Sequence, residues 1–585
     1  MKCKMNIKKR KFLVNFAFVV ASLLACKNSY SQVPTTSLEA IEFGIHEQED
    51  RAKEFQKKIE PQVDILKPQE IKPVPLELPK EDQCYKINKI NFIDNQNDLF
   101  FWFESYVKPY LSTCIGVEGI QQIVNVLNNS LIEKGYITSR VAVPEQNLTD
   151  GVLDFKVMIG KIAAIRMVEQ GDLTRSEDTN WGIWQNAFPI KSGDVLNIRD
   201  IEQGVEQMKR LPSQKVTTKI EPGENPNFSI VIIEREKIKF TSRIRFGTTV
   251  DNSGSKSLGR TQLSSFLAFD NLLGISDLLS ASSMSNVENL TQYNMSQSLT
   301  LSYSIPFYYH LFSVSNSYNR FGQTLKLTTA NELSRGNSNK TDYRWDYTPF
   351  RSASAKIGIY SLLSIRRAES FISDREIITQ RRKTTNIEVG ASVKKMYSRS
   401  NFTTQVAYRE GTGWFGAESD FQKTESNQMT IRPKIFTAQF NFNYLFTPWE
   451  KKIQFSSNHR LQYTKDKTTA TDQFSIGGRN TVRGFDGDVI LLSENGYLVR
   501  NDFTMPLGFL SHLGNYNTYL ALDYGYVWGP NSNELVGRNL GGTALGLQGQ
   551  FSIFQFDIAL ATPILKPKDF KSNTWNLYLS LSGNI

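Results

Sequence analysis

From about residue 237 to the C-terminus, the chain alternates apolar and polar side chains with a period of two. Examples are Phe240–Phe246, Leu299–Phe307, Ala438–Phe446 and residues 575–585, where an aromatic or aliphatic stripe lies opposite a polar one. Successive side chains of a β-strand point to opposite faces, so this spacing is typical of strands with one apolar face. The pattern predicts that this part of the chain folds into antiparallel β structure.

Soluble β-sandwiches and transmembrane β-barrels both contain such strands. A sandwich rarely extends over about 350 residues as one domain, and a closed barrel satisfies every backbone polar group in hydrocarbon. Aromatic residues make up 12% of the chain and charged residues 22%, which fits an apolar outer band around a polar lumen. We therefore predict a transmembrane barrel of about 16 antiparallel strands at 237–585.

The N-terminus has the features of a secretory signal peptide. Residues 8–11 are all basic, and the apolar stretch Phe12–Ala25 is too short to span a membrane. Small residues at Ser29 and Ser31 suit cleavage after Ser31, while Cys26 offers a lipoprotein-type alternative. The sequence predicts a signal peptide at 1–31 and export of the remaining chain.

Two cysteines follow the signal region, Cys84 and Cys114. Thiols of exported proteins are oxidised in the periplasm, so the expected state is a disulfide between them. Two buried free thiols are the alternative.

Between the signal and the barrel lie four smaller segments. Residues 37–60 are polar and favour a helix, which needs a wet environment or a polar cavity because it has few apolar residues. Residues 61–83 contain five prolines and predict a stiff linker. Residues 84–160 and 161–235 each combine short strands with one helix and predict two small α/β domains.

The sequence gives no indication of an enzyme. Its four histidines are scattered, and it has no phosphate-binding loop, nucleophile elbow or metal-ligand spacing. The chain has 68 basic and 58 acidic residues, but no nucleic-acid motif surrounds the basic ones. We expect no cofactor, no nucleotide and no nucleic-acid partner.

A glycine-rich segment, Phe474–Asp488, lies in a long loop at about 466–495. It could be a solvated extracellular loop, or a hairpin folded into the lumen with Arg483 bound to a carboxylate on the wall. Asp523 is the candidate partner, because Leu522 and Tyr524 would take the lipid face of that strand. A wet lumen would keep the energy of this pair nearer that of an exposed ion pair.

Four segments in the same order resemble the TpsB transporters of two-partner secretion, which are haemolysin-activator-like proteins. They are Gly135–Ile162, Gly193–Gly223, Phe474–Asp488 and Gly546–Pro567. The resemblance implies a helical plug at 37–60, two periplasmic POTRA domains and a barrel of sixteen strands. It also implies that the loop-six motif Val482, Arg483, Gly484 and Phe485 is folded inward with Arg483 paired to Asp523.

One feature departs from the family pattern: the chain ends at Ile585, where such barrels usually end in an aromatic residue. The departure bears on how strongly the last strand signals to the barrel-assembly machinery.

The resemblance implies an outer-membrane pore with its POTRA domains in the periplasm. It would recognise an unfolded partner exoprotein there, of adhesin, haemolysin or growth-inhibition type, and pass it to the cell surface. Outer-membrane lipid would surround the barrel. The alternative is a factor that assembles or inserts outer-membrane proteins, which shares the loop-six motif.

Overall fold

The computed structural model describes residues 48–56, 65–67, 77–169, 182–236, 240–288, 294–326, 331–421, 429–510, 514–530 and 532–584. Residues 48–56 form a helix, which is part of the helix predicted at 37–60. The predicted signal peptide, residues 37–47 and 57–60, most of the linker, and Ile585 lie outside the described residues. In the described ranges, no helix has both the length and the apolar character needed to span a membrane.

The first α/β domain begins after the linker. It contains β1 (Tyr85–Ile87), β2 (Lys89–Ile93), α1 (Phe103–Val107), β3 (Thr113–Ile115), α2 (Val117–Lys134), β4 (Arg140–Ala142) and β5 (Val152–Met158). A three-stranded sheet has the order β2-β5-β4, and β1 pairs with β3. Ile123, Leu127 and Leu131 of α2 are fully buried against the sheet, as their helical spacing predicts.

Both ends of α2 have well-defined caps. Gly135 ends the helix in the left-handed region, with φ 97°, where glycine pays no steric penalty. At the other end, the Glu81 carboxylate accepts hydrogen bonds from the backbone N–H groups of Gly116, Glu118 and Gly119 at 2.8–3.0 Å. Desolvation opposes ionisation of Glu81, but these three donors outweigh it and lower its pKa.

The structure contains a disulfide between Cys84 and Cys114, which are 30 residues apart in sequence. It ties β3 to the residue that precedes β1. Replacing both cysteines with serine should lower the free energy of unfolding of this domain by about 3–4 kcal/mol. Without the disulfide, the loop of this length is no longer closed in the unfolded chain, and the unfolded state gains conformational entropy.

Hydrogen exchange of residues 84–160 in the full chain, with and without the double substitution, would measure this loss. If mass spectrometry of unreduced protein finds both thiols alkylated, the disulfide is absent in the mature protein.

The second α/β domain repeats the pattern. It contains β6 (Lys161–Glu169), α3 (Ile198–Lys209), β7 (Val216–Pro222) and β8 (Phe228–Arg235), with sheet order β6-β8-β7. The side chain of Asn197 caps α3 by accepting a hydrogen bond from the backbone N–H of Arg199 at 2.9 Å. The two domains are joined directly, because Ile198 N–H donates to the carbonyl of Gly135 at 2.9 Å.

Sixteen described strands form a closed antiparallel barrel, which confirms the predicted fold class. They are β9 (Ile244–Asp251), β10 (Gln262–Asp270), β11 (Leu278–Asn286), β12 (Asn294–Phe307), β13 (His310–Lys326), β14 (Asn331–Arg351), β15 (Ala355–Ile372), β17 (Arg382–Met396), β18 (Ser400–Thr412), β20 (Lys434–Phe446), β21 (Ile453–Tyr463), β25 (Asn495–Leu510), β26 (Gly514–Trp528), β27 (Asn539–Phe551), β28 (Phe554–Leu565) and β29 (Asn576–Asn584). Shorter strands outside the sixteen are β16 (Arg375–Glu376), β19 (Met429–Thr430), β22 (Lys467–Thr468), β23 (Phe474–Ile476) and β24 (Leu491–Ser493). The barrel closes where β29 pairs with β9.

The strand predicted at Phe240–Phe246 is wrong at its start. Phe240–Arg243 forms a 3-10 turn, and β9 begins at Ile244, because the chain has to turn from the α/β domain into the barrel wall. Elsewhere the predicted alternation holds. Leu299 and Leu301 of β12 are 46% and 49% exposed on the outside, while Thr300 between them is buried.

The second α/β domain is docked against one end of the barrel. Arg351, at the end of β14, forms an ion pair with Glu206 of α3 at 2.8 Å and donates to the Gln203 side chain at 3.1 Å. The Gln207 side chain donates to the carbonyl of Tyr308, in the turn between β12 and β13, at 3.1 Å. These contacts identify the end of the barrel that faces the two α/β domains.

Candidate functional site

The helix over 48–56 lies inside the barrel. Gln48 is fully buried and accepts a hydrogen bond from Ser296 of β12. Glu49 forms an ion pair with Arg366 of β15 at 2.9 Å. At the other end of the helix, the Gln56 side chain accepts a hydrogen bond from Ser282 of β11 at 3.2 Å. Polar side chains therefore bind the helix to inward-facing residues of the wall.

The sixth extracellular loop, residues 464–494, is folded rather than extended. It contains β22, a 3-10 turn at Ala470–Asp472, and the β23-β24 hairpin. Its Val482 and Phe485 are fully buried and belong to an apolar cluster with Leu498, Val527 and Leu540 of the wall. The residues alone left two interpretations of this loop open, a solvated extracellular loop and a hairpin folded into the lumen. The structure places the loop against the inner wall.

Arg483 contacts Asp523 of β26 at three points. Its Nε donates to Oδ2 and its Nη2 to Oδ1, both at 2.6 Å, and its backbone N–H donates to Oδ2 at 2.9 Å. The Nη1 of Arg483 donates to Asp502 of β25. A guanidinium thus bridges two acids of neighbouring strands, with the fork geometry that only arginine offers.

The burial of this pair differs from the expectation of a wet lumen. Arg483 is 6% exposed and Asp523 is 5% exposed. Removing one partner of a buried ion pair costs about 3–5 kcal/mol, against about 0–1 kcal/mol for an exposed one. Val482 and Phe485, on either side of Arg483 and Gly484, are fully buried in the apolar cluster, and no local pattern in the sequence indicated this burial.

Asp502 was missed by the sequence reasoning. It lies on the same face of β25 as Arg500 and Leu498, so strand parity would have placed it inward. Arg500 Nε lies 3.7 Å from the Asp523 carboxylate, and Arg500 Nη1 donates to the carbonyl of Asn480 at 3.0 Å. The clasp, as we call Arg483 with Asp523 and Asp502, therefore has a second cation beside it.

The position of Gly484 leaves no room for a side chain. Its φ is 110°, and a Cβ atom there would lie 2.6 Å from the carbonyl oxygen of Thr562. Its N–H donates to the hydroxyl of Tyr578 at 3.0 Å, and its carbonyl accepts from the Asn576 side chain at 2.6 Å. The Tyr578 hydroxyl in turn donates to the carbonyl of Phe485 at 2.7 Å. Two residues of β29 thereby fix the backbone next to Arg483.

The strand next to β26 approaches the same point, since Gly542 of β27 is the cross-strand neighbour of Asp523. Gly542 of β27 faces the carbonyl oxygen of Arg483, which a Cβ atom at Gly542 would approach to 1.7 Å. Further along the loop, Asp488 forms ion pairs with Arg260 at 2.7 Å and with Lys256 at 3.1 Å. Loop six is thus attached to β25, β26 and β29 and to the loop between β9 and β10.

The helix over 48–56 can obstruct the lumen, and the clasp can hold loop six in place. Among the described residues, no group of histidine, cysteine and carboxylate side chains could hold a metal ion. The contacts of the site are ion pairs and hydrogen bonds, which are reversible and which other polar groups can replace.

Models of known families match most of the chain. The model of the haemolysin secretion/activation proteins ShlB/FhaC/HecB matches residues 227–549. A POTRA model of the ShlB type matches residues 85–160, and a second POTRA model matches residues 161–222.

Relatives with assigned roles are similar over most of their length. An outer membrane transporter, CdiB-2 of Burkholderia pseudomallei (strain 1026b), is 32% identical over 477 residues, which are 81% of this chain and 79% of that protein. The haemolysin transporter protein HpmB of Proteus mirabilis is 26% identical over 84% of both chains. The solved structure of CdiB from Escherichia coli has the same fold, with a TM-score of 0.82, 24% identity and coverage of 95% of this chain and 100% of that one.

The match to the family models and the 32% identical relative agree with the closed barrel and the two α/β domains. The predicted family, function class and location are confirmed. The chain belongs to the ShlB/FhaC/HecB family of haemolysin secretion/activation proteins, outer-membrane transporters of two-partner secretion that act with large secreted exoproteins.

Proposed function

We propose that the lumen of this barrel is the export route and that the helix over 48–56 closes it at rest. The observation that carries the proposal is the binding of this helix to inward side chains of β11, β12 and β15. Its contacts are polar, so water and a translocating chain can replace them at low cost. The clasp then holds loop six against the wall beside the route.

The POTRA domains recognise the exoprotein by adding it as a strand to an open sheet edge. In the first domain β4 is a poor edge, because the Asn128 side chain covers Val141. Asn128 Nδ2 donates to the Val141 carbonyl at 3.2 Å, and the Val141 N–H donates to Asn128 Oδ1 at 2.8 Å. Within the described residues β2 has no strand on its outer side, and it is the edge we assign to recognition in this domain.

In the second domain the open edge is β7. The other edge strand, β6, is partly covered, since Ile162 N–H donates to the Asp194 carbonyl at 2.9 Å and Lys161 forms a bridge with Val195. Directly after β7, the N–H of Gly223 donates to the carbonyl of Phe228 at the start of β8. Alternation then points the N–H of Thr218 to the open side, where a client strand can accept it.

The partner is a large exoprotein of the adhesin, haemolysin or growth-inhibition type, in keeping with relatives named as haemolysin and CdiB transporters. Catalysis, a cofactor, a nucleotide and nucleic acid have no part in this proposal. An assembly factor for outer-membrane proteins is the alternative function. A helix bound inside the lumen favours export, because a factor that inserts barrels into lipid has no use for a closed central channel.

Deleting residues 37–60 should raise the single-channel conductance of the purified protein in planar bilayers severalfold, because the helix occupies part of the lumen. Arg366→Gln removes the ion pair with Glu49 and should give brief openings to the same high level. Ser400→Ala, at the start of β18 in the barrel wall, is the control substitution. Unchanged conductance of the deletion variant would show that something else closes the pore.

A further inference from the structure

A pair of basic side chains faces the lipid near the extracellular end of the barrel. Arg366 and Ala368 of β15 are 9% and 3% exposed and face inward, so Arg367 between them faces outward. Lys383 of β17 is the direct cross-strand neighbour of Arg367 and lies on the same outer face. Like charges in directly opposite positions repel each other, since their Cβ atoms are about 5 Å apart.

The height of this pair matches the outer leaflet. β15 starts at the end that faces the POTRA domains, and Arg367 lies twelve positions after Ala355. With a rise of about 3.3 Å per residue and a tilt of about 40°, Arg367 is about 30 Å from that end. The apolar band of such barrels is about 25 Å tall, so the two cations lie just above the acyl chains.

Two nearby acids are paired with other cations. Glu376 pairs with Arg381 at 2.5 Å, and Glu410 with Lys434 at 3.5 Å. Glu369 lies on the same face as Arg367, two positions further along β15. Among the described residues, neither Arg367 nor Lys383 forms an ion pair with the protein.

Two exposed aromatic side chains lie beside the pair. Trp414 and Phe415, in the loop after β18, are 54% and 60% exposed. The loop is held against β17, since Thr385 Oγ1 donates to the Trp414 carbonyl at 3.0 Å and Glu418 N–H donates to the Lys383 carbonyl at 2.9 Å. Phe415 has φ 54°, which is an unfavourable backbone conformation for a bulky residue. Residues held in such conformations cluster at binding sites. Aromatic side chains in this position favour the membrane interface.

We propose that Arg367, Lys383, Trp414 and Phe415 form a binding site for a phosphorylated glycolipid of the outer leaflet. The cations bind a headgroup phosphate through charge-assisted hydrogen bonds, which removes their mutual repulsion. The two aromatic rings contact the upper acyl chains. The ligand is identified by the combination of an anion at the interface and hydrocarbon directly below it, which a free phosphate does not offer.

Native mass spectrometry of the full-length protein, titrated with bisphosphorylated lipid A in non-ionic detergent, tests this site. Arg367→Gln with Lys383→Gln should weaken binding at least about tenfold, as expected when charge-assisted hydrogen bonds to phosphate are removed. Lys395→Gln removes an outward lysine at the other end of β17 and should leave binding unchanged. The unaltered protein should bind dephosphorylated lipid A at least about tenfold less tightly.

Equal binding of the two lipids would overturn the proposal, even if the double variant fails to assemble. So would equal losses in the double variant and in Lys395→Gln, or full competition by inorganic phosphate. Trp414→Ala with Phe415→Ala alters only the loop and should also weaken binding of the phosphorylated lipid; unchanged binding would exclude the aromatic contribution.

Discussion

Replacing Arg483 with alanine should reduce export of the partner exoprotein at least about tenfold while a folded barrel remains in the outer membrane. The substitution removes three side-chain hydrogen bonds, two to Asp523 and one to Asp502. It leaves two inward carboxylates beside Arg500 as their remaining cation. Loop six then loses its ion pairs with β25 and β26, but the hydrogen bonds that close the barrel are untouched. Secretion assays, together with heat-modifiable mobility of the barrel, measure both effects.

The two acids of the clasp provide a graded control. Asp523→Asn should impair export more than Asp502→Asn, because Asp523 accepts three hydrogen bonds from Arg483 and Asp502 accepts one. Arg483→Lys should rescue only part of the activity, since one ammonium group cannot reach both acids as the fork does. Equal effects of the two asparagine substitutions would contradict the assigned division of contacts.

A double-mutant cycle tests whether the residues act together. Export by the Arg483→Ala, Asp523→Ala double variant should be little worse than by either single variant, because the second change removes nothing that is still intact. Fully additive losses would mean that Arg483 and Asp523 act separately, and that the clasp does not hold the loop.

Deleting residues 84–160, the first POTRA domain, should abolish export and leave the barrel inserted. The second domain has its own core around Ile201, Met208 and Val231, and its ion pair between Glu206 and Arg351 does not involve the deleted residues. The loss would therefore reflect recognition rather than collapse. Secretion of the exoprotein by the deletion variant at the level of the intact protein would assign recognition elsewhere.

A point substitution separates strand addition from the other roles of these domains. Thr218→Pro removes the N–H that points to the open side of β7 and spares the ladder to β8, as edge strands tolerate. It should reduce export severalfold, whereas Thr218→Val keeps the N–H and should not. If the two variants export equally well, the client does not pair with this edge.

The sequence determined the type of fold and the faces of its strands, because both follow from local periodicity. Alternation in Leu299–Phe307 gives the lipid face wherever the strand sits in the wall. The same parity indicated that Asp523 points inward, between Leu522 and Tyr524. The helical spacing of Ile123, Leu127 and Leu131 likewise predicted α2, since an amphipathic pattern needs no knowledge of its partner.

The tertiary structure decided which side chains meet. Tyr578 and Asp502 reach Arg483 and its neighbours only because β29, β25 and β26 curve around the same lumen, and nothing in their separate sequences marks them for it. The covering of β4 by Asn128 and the opposition of Arg367 to Lys383 depend in the same way on packing and register. Register is set by the pairing of distant segments. A periodic sequence therefore defines the face on which a residue lies, but not the residue that lies opposite it on the neighbouring strand.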